Sequence, residues 1–431
     1  MGLTKVSTDG VKDDAVTTDK LANAINTERS ANTAKDLTAL SASNLTSGTI
    51  PDARFPATLP AKSAANLTNI PAANITGTLP AISGANLTNL PVNRLGRNLI
   101  INGGMMINQR YGDAADTPSD GEYTMDRWQA WMSTGSKFSV QRSDDHPDDF
   151  AKSLLVTSLS AATVTANHEH GITTKIEAQN MSQLAFGTSS AKSATLSFFV
   201  KCSLTGTFGG LVANAALNMS YVFSYTVNSA NTWERKTITI PPTTSGSFAS
   251  GSSNGLQVHF EFGVGSNRTA AVGWQTNTAV RGVNSQVNLI ATNAATWRMT
   301  GLQLEVGTTA TEFEHRSFGD ELLKCQRYYQ EVRAASITAA SSTACRFNCP
   351  LMCEMRAEPS VGKGGSGNIN VGDMVSVGSN TSSTPSSDGY SGDRLMMSAQ
   401  VGGFTGLTQY RQYCHELNAD KLGLISCSAE L

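Results

Sequence analysis

The sequence predicts a mainly β protein in which a repeat-based trimeric fibre shaft precedes two β-sandwiches. Three observations support this fold class. Residues 63–93 contain no charged side chain and are punctuated by proline. Several later segments alternate apolar and polar residues with period two, which is typical of half-buried strands. Only 15% of the 431 residues are charged, against about a quarter in typical globular chains, and this low fraction suits a turn-rich β architecture.

Shifts in composition divide the chain into six predicted parts. Residues 1–16 are too polar to fold alone. In residues 17–43, Leu21, Ala24 and Ile25 fall at helical spacing, which predicts a short helix that needs a trimeric bundle to be stable. The predicted parts are an N-terminal peptide (1–16), a short helical segment (17–43), the fibre shaft (44–97), a jelly-roll-like β-sandwich (98–316), a linking helix (317–334) and a C-terminal β-sandwich tip (335–431).

The shaft repeats Asn-aliphatic-Thr four times, beginning at Asn44, Asn66, Asn74 and Asn86, between aliphatic-Pro pairs. Proline interrupts helices and holds the preceding residue extended. A single extended chain cannot bury such regularly spaced aliphatic residues, whereas three chains wound about one axis can. The alternative is a flexible linker, which these aliphatics disfavour because disordered segments are poor in them. The predicted trimer-axis residues are Leu45, Ile50, Leu59, Leu67, Ile70, Ile75, Leu79, Ile82, Leu87 and Leu90.

Residues 98–316 contain the clearest strand patterns. Residues 98–110 predict a strand, a glycine turn and a second strand. In residues 256–264 the apolar positions alternate with Gln257, His259 and Glu261. Near Gly301 the alternation slips by one residue, which predicts a β-bulge. Turn signals separate the strands with no helical pattern between them, so an antiparallel sandwich of jelly-roll type is expected, with Trp128 and Trp297 in its core.

The C-terminal part begins with a predicted helix. Residues 317–320 fit a capping box, and residues 321–332 keep helical spacing. Alternation resumes at Ile337 and continues to Cys349. Residues 362–392 are rich in Gly and Ser, which predicts exposed loops at a distal tip.

Charge and cysteine usage exclude several classes of function. The net charge of −2 gives no basic field for nucleic acid or an anionic membrane. No run reaches a transmembrane length, and no signal peptide is evident, so membrane insertion is not expected. The seven cysteines then predict free thiols in a chain made in a reducing cytoplasm.

Few residues suggest chemistry. Cys345, Cys349 and Cys353 have a spacing of four that weakly resembles a zinc site, but one strand face packed in the core explains them better. His168 and His170 are expected on one solvated face. The carboxylates of residues 144–149 predict an exposed loop, with a calcium site left open. Asp126–Arg127 predicts a structural ion pair. No nucleophile elbow, phosphate loop or zinc-protease motif occurs, so no catalytic residue, metal or cofactor is expected, although a spatial pair of glycosidase carboxylates stays open.

Several phrases resemble tail-fibre proteins of tailed bacteriophages. They are Asn98–Arg110, Tyr123–Trp128, Gly301–Gly307, Thr311–Ser317 and Cys325–Tyr329. Residues 4–14 and the shaft phrases are similar to fibres of marine, short-tailed cyanobacterial phages. The resemblance implies a homotrimer located in the virion tail. It also implies an N-terminus bound to tail adaptor or nozzle proteins, a distal part that meets a host-surface glycan or outer-membrane protein, and a middle sandwich similar in topology to carbohydrate-binding modules.

The expected function is non-enzymatic attachment of a virion to its host. One rival is a depolymerising tailspike, which would normally need a long β-helix with an acidic groove. A second rival is a structural or connector fibre that binds no receptor. Aromatic rings that face outward can stack on sugars, so the candidate receptor contacts are Trp274, Tyr390, Tyr410 and Tyr413.

Overall fold

The structure is a computed structural model that describes residues 96–364, 368–373, 379–390, 395–415 and 424–431. Every described residue belongs to one compact unit, Asn89–Leu431. The N-terminal peptide, the helical segment, the shaft repeats and the ten predicted trimer-axis residues lie outside the described residues. In the described part, the fold is mainly β, and no helix has the length and hydropathy needed to cross a bilayer.

The first half of the described fold contains fourteen strands and one short helix; twelve of the strands form a sandwich, and the other two pair with each other in parallel. The strands are β1 (Tyr123–Met125), β2 (Trp128–Met132), β3 (Phe138–Ser143), β4 (Ser153–Ser158), β5 (Glu169–Glu177), β6 (Ala194–Cys202), β7 (Gly206–Ala213), β8 (Ser220–Val227), β9 (Glu234–Ile240), β10 (Asn254–Val264), β11 (Thr269–Ala270), β12 (Gly273–Gln275), β13 (Gly282–Val283) and β14 (Thr296–Val306). Helix α1 (Ala178–Met181) follows β5.

Two antiparallel sheets pack around a single core in this sandwich. The larger sheet has the order β1-β2-β5-β10-β7-β8-β12, and the smaller has the order β3-β4-β14-β6-β9. Aromatic residues from both sheets meet in the core, where Phe260 lies against Phe198 and Trp297. The indole nitrogen of Trp297 donates to the Tyr225 hydroxyl at 3.0 Å, so its one polar group is satisfied despite complete burial.

The strand phases read from the sequence are confirmed. The apolar positions of β6, β8 and β10 are buried, as are Trp128 and Trp297. The predicted bulge is present in β14, where the pairing with β6 shifts between Thr300 and Gln303. Gly301 occupies this shift with φ +64°, a left-handed conformation that favours glycine.

The prediction of two strands in residues 98–110 was wrong. This segment forms no sheet ladder, because asparagine side chains take the backbone hydrogen bonds instead. The Asn102 amide nitrogen donates to the Ile107 carbonyl at 2.8 Å, and its side-chain oxygen accepts from the Ile107 N–H at 2.9 Å. The Asn98 side chain likewise bridges to Leu302 and Leu304 of β14.

Helix α2 (Phe318–Gln326) leads into the second sandwich. Its start was predicted correctly, since the Ser317 hydroxyl caps it by accepting from the Asp320 N–H at 3.2 Å. Its predicted end was wrong, because Tyr329–Val332 form a strand whose backbone pairs with the C-terminal strand. The remaining strands are β15 (Tyr329–Val332), β16 (Ser336–Ala339), β17 (Cys345–Pro350), β18 (Ser360–Gly364), β19 (Ile369–Gly372), β20 (Ser379–Thr381), β21 (Ser386–Tyr390), β22 (Met396–Val401), β23 (Gln412–His415) and β24 (Leu424–Ser428).

The second sandwich also consists of two antiparallel sheets. Their orders are β15-β24-β18 and β20-β19-β23-β16-β17-β22-β21. The loop prediction for residues 362–392 was therefore wrong in part, because β19, β20 and β21 lie inside that range. Cys345 and Cys349 are core residues as predicted. Cys353 is not on their strand face, since β17 ends at Pro350 and Cys353 lies half-buried in the following loop.

The last residues of the chain join the two sandwiches. The Glu430 carboxylate accepts from Arg127 and from Arg110, the latter at 3.1 Å. The Leu431 carbonyl accepts from the Tyr123 hydroxyl at 2.7 Å and from Lys175 Nζ at 2.6 Å. The second sandwich is thus held against the first by buried, charge-assisted hydrogen bonds.

Candidate functional site

The outer face of the larger sheet is covered by the chain itself. His259 and Glu261 point away from the core and are fully buried. The segment between β10 and β14 lies over them, with Val280 and Val283 packed against Val222 of β8. From this segment, the Arg281 guanidinium pairs with Glu169 of β5 at 3.1 Å and lies 5.4 Å from the centre of the Trp131 ring. The centre of this face, around His259 and Glu261, is therefore closed to solvent.

Burial favours the uncharged forms of the two histidines and of Glu261. Burial lowers the pKa of His259 to about 3 and that of His170 to about 4, and it raises the pKa of Glu261 well above its ordinary value. The expectation that His168 and His170 share one face is confirmed, since their ring centres are 5.7 Å apart. The expectation of a solvated strand was wrong for His170, which is buried and 2.9 Å from the Thr134 hydroxyl.

The outer face of the smaller sheet carries an exposed aromatic cluster. It consists of Phe150, Phe199, Phe313 and His315, whose ring centres lie between 4.9 and 5.4 Å apart in the contacting pairs. Phe199 stands on β6 and Phe150 on the loop between β3 and β4, while Phe313 and His315 follow β14. Phe150 is buried, Phe199 and Phe313 are half-buried, and His315 is exposed. The cluster therefore presents ring surface to solvent while its centre stays packed.

Gly301 makes room for this cluster. A Cβ atom at this position would lie 2.6 Å from Cζ of Phe150 and 3.1 Å from Cδ2 of Phe199. Both the left-handed backbone and the ring contacts therefore require glycine. The Phe150 ring therefore occupies the space over the sheet that a side chain at position 301 would need.

Residues 307–316 are fixed across the sheet by buried polar groups of β14. The Gln303 side-chain oxygen accepts from the Glu314 N–H at 2.8 Å, and the Glu305 carboxylate accepts from the Thr311 N–H at 2.9 Å. On β9, Thr239 reaches the Thr308 carbonyl at 3.5 Å. These bonds tether the irregular segment that carries Phe313 and His315 to the outer face of the sheet.

Two adjoining cavities, of about 360 and 430 Å³, flank the cluster. We call the pair the aromatic groove. Asp149, Phe150, Phe313 and His315 line both cavities. The first is completed by residues that include Asp148, Met106, Arg316 and Phe318, and the second by Ser197, Phe199, Arg235, Gly301 and Glu312.

The polar groups of the groove differ in how strongly they are already engaged. Glu314 and Arg316 are engaged with the backbone of residues 98–100. The Glu314 carboxylate accepts from the Asn98 N–H at 2.7 Å, and Arg316 donates to the Ile100 carbonyl at 3.0 Å. Asp148 and Asp149 are exposed, and within the described ranges their carboxylates form no hydrogen bond or ion pair. A groove with exposed ring faces and such polar groups can bind a ligand that has both an apolar face and hydroxyl groups.

The four predicted receptor contacts lie apart from this groove. Trp274 is half-buried on the edge strand β12, packs against Phe186 and Tyr221, and donates from its indole nitrogen to the Pro241 carbonyl at 3.0 Å. Tyr413 was wrongly expected at the surface, because its side chain is buried in the second core and its hydroxyl accepts from the Thr408 N–H at 2.9 Å.

The two other tyrosines lie in the second sandwich. Tyr410 is 78% exposed, as a surface contact requires. The backbone of Tyr390 ends β21, and the placement of its side chain lies outside what the structure describes.

Other predicted polar sites are structural. Asp145 accepts from Lys201 at 2.8 Å and from the Trp233 indole at 3.1 Å, and Asp144 pairs with Lys152. Within the described part, no group of three or more acidic, His or Cys side chains is arranged to hold a metal ion. The predicted ion pair between Asp126 and Arg127 was wrong. The Asp126 carboxylate accepts from the backbone and side-chain nitrogens of Gln109, both at 2.6 Å, and Arg127 pairs with Glu430.

Comparison with known proteins gives fold-level similarities only. No family model and no curated protein matches the chain. Among solved structures, it is similar to the enzymatically active domain of bacteriophage CBA120 tailspike protein 4, at 12% identity over 49% of this chain and 22% of that chain, with a TM-score of 0.27. A family 11 carbohydrate-binding module of Clostridium thermocellum matches at 15% identity over 46% of this chain and 98% of the module, with a TM-score of 0.25. A putative sugar-binding protein from Bacteroides thetaiotaomicron matches at 9% identity over 49% of this chain and all of that one, with a TM-score of 0.29. TM-scores this low carry no argument about what the chain binds.

Proposed function

We propose that this chain is a homotrimeric tail fibre of a tailed bacteriophage that binds a host-surface glycan through the aromatic groove without cleaving it. Its N-terminus would attach to adaptor or nozzle proteins of the tail. The sequence phrases shared with tail fibres support the role in the virion. The single structural observation that supports the glycan is the partly exposed cluster of Phe150, Phe199, Phe313 and His315, flanked by the unengaged carboxylates of Asp148 and Asp149.

The chemistry of a sugar fits both parts of this groove. One face of a pyranose ring presents C–H groups, which pack on an aromatic ring face, and its rim presents hydroxyl groups, which hydrogen-bond to charged side chains. Phe199 and Phe313 supply the ring surface. Asp148 and Asp149 supply acceptors at one end, and Arg235, which lies at the other, supplies donors.

The test is binding of the purified full-length chain to surface polysaccharides extracted from candidate host bacteria. Phe313→Ala should weaken binding by about tenfold, which corresponds to about 1.4 kcal/mol. Tyr410→Ala is the matched control, since it removes an exposed aromatic ring from the second sandwich. If Tyr410→Ala abolishes binding and Phe313→Ala does not, recognition belongs to the tip and the groove assignment is wrong.

The same mixture distinguishes a binding protein from an enzyme. Size-exclusion chromatography of the polysaccharide after incubation should show an unchanged chain length. Shortened polysaccharide would instead identify a depolymerase, and the exposed Asp148 and Asp149 would then be the first carboxylates to replace by asparagine.

A further inference from the structure

We propose that the first cavity of the aromatic groove binds a protonated amino group of the host glycan, so that the groove selects amino sugars over acidic sugars. This inference rests on the proposed glycan binding and adds the charge class of that glycan. Two features of the same cavity support it: the sign of the charges around it and its aromatic ring surface.

The first cavity is surrounded by more negative than positive charge. Four carboxylates line it, those of Asp148, Asp149, Glu314 and Glu321, against the single guanidinium of Arg316. In a cleft whose walls have a low dielectric constant, charges of one sign raise the local concentration of ligands of the opposite sign. An amine is therefore attracted to this cavity, whereas a carboxylate or a phosphate is repelled.

The four carboxylates differ in whether they can pair with a ligand. Glu314 and Glu321 are buried, and each is engaged by Arg316 and by a backbone N–H of residues 98–102. The two aspartates are exposed, and within the described ranges their carboxylates form no hydrogen bond or ion pair. The buried pair thus contributes to the negative field, and the aspartates can contact an incoming cation directly.

The ring surface of the same cavity distinguishes an amine from other cations. Phe313 and His315, whose ring centres are 4.9 Å apart, line it together with Phe318, which is 57% exposed. An aromatic ring face attracts a cation through its quadrupole and packs against the carbon atoms beside the cation. Because no three acidic, His or Cys side chains of the described part are arranged to hold a metal ion, a metal ion fits this cavity less well than an organic amine.

The second cavity suits the uncharged part of the same sugar. It shares Asp149, Phe313 and His315 with the first cavity and adds Arg235, whose guanidinium donates to the Thr311 carbonyl. A guanidinium has five N–H donors, so one that is bound to a single carbonyl still has donors for sugar hydroxyl groups. A glycan that spans both cavities would therefore place its amine in the first cavity and hydroxyl groups in the second.

The experiment compares tetrasaccharides of different charge, using isothermal titration calorimetry of the full-length chain at about pH 6 and at low and high salt. The probes are the tetramer of β-1,4-linked glucosamine, which carries protonated amines, and the tetramer of N-acetylglucosamine, in which acetylation removes the charge from the same backbone. A tetramer of galacturonic acid, which carries carboxylates, is the acidic probe.

The protein variants are Asp148→Asn, Asp149→Asn and the two substitutions combined. Asparagine keeps the size of the side chain and removes its charge. Glu358→Gln is the matched control, since it removes the charge of an exposed carboxylate that lines neither cavity.

The glucosamine tetramer should bind the wild type about fivefold more tightly than the N-acetylated tetramer, and the acidic tetramer should bind more weakly than either. Both the combined variant and high salt should remove the preference for the amine, because each weakens the attraction between the charges. Glu358→Gln should keep the preference.

Three results would overturn the inference. They are equal binding of the two glucosamine-based tetramers by the wild type, a preference that persists in the combined variant, and failure of both of these tetramers to bind. The proposed function is tested separately by the loss of binding to host polysaccharide in Phe313→Ala. If that loss occurs without a preference for the amine, the groove binds a glycan and only its charge class is wrong.

Discussion

A buried ion pair, Arg127–Glu430, lies in the joint between the two sandwiches, and removing its carboxylate should be costly. The Arg127 side chain is 1% exposed and that of Glu430 is 6% exposed. Arg127 also donates to the Lys175 carbonyl at 2.6 Å and lies 3.5 Å from the centre of the Tyr328 ring. Glu430→Ala would leave this guanidinium buried without a counter-charge, which typically costs about 3–5 kcal/mol.

This cost can be measured by urea unfolding and by calorimetry. For a unit of ~340 residues, an unfolding entropy of roughly 0.7 kcal/mol/K translates the loss into a melting temperature lower by about 4–7 °C. Glu430→Gln keeps an acceptor and should lose about 2 kcal/mol, as expected for a hydrogen bond to a charged group. Glu358→Ala removes an exposed carboxylate of the same sandwich and should change stability by less than about 0.5 kcal/mol.

A double variant tests the physical reason for the cost. Replacing both Arg127 and Glu430 by methionine removes the charges together, so most of the loss should be recovered, because an apolar pair needs no counter-charge. A Glu430→Ala protein as stable as Glu358→Ala would refute the reasoning. If the double variant is no more stable than Glu430→Ala, the loss of stability comes from the packing around the pair and not from its charge.

Three further predictions follow from other parts of the chain. The pKa of His259 is about 3 in the folded protein and about 6.5 when unfolded; the unfolded state therefore binds the proton first, and stability falls as the pH falls from about 6.5 to about 3. At pH 5 this linkage lowers the free energy of unfolding by about 2 kcal/mol. The His259→Gln variant lacks the titrating group, so between pH 7 and pH 5 the free energy of unfolding measured in urea should change less for this variant than for the wild type. Gly301→Ala should lose about 2–4 kcal/mol from its left-handed backbone and its overlap with Phe150, and should bind glycan more weakly; an unchanged melting temperature would contradict this. Deletion of residues 44–91 should leave mostly monomers by light scattering, and a persistent trimer would show that another segment holds the chains together.

The sequence alone predicted the local structure correctly where the pattern lies within one strand or turn. Period-two alternation identified the core faces of β6, β8 and β10, because successive side chains of a strand must point to opposite sides. The phase slip at Gly301 identified the bulge, and Ser317 identified the start of helix α2. These features depend only on neighbours in the chain. The same local reasoning failed at residues 98–110, where asparagine side chains compete for the backbone bonds of an otherwise convincing strand.

Only the tertiary structure decided which faces are open and which groups meet. Alternation placed His259 and Glu261 on the outer face of the sheet. The segment between β10 and β14 covers both side chains there, so they are buried although they point away from the core. The aromatic groove unites Phe150, Phe199 and Phe313, which are 49 and 114 residues apart along the chain, and Arg127 finds its counter-charge at Glu430. Local periodicity specifies the side of a strand to which a residue points; what lies on that side is fixed by long-range packing, which a single sequence does not display.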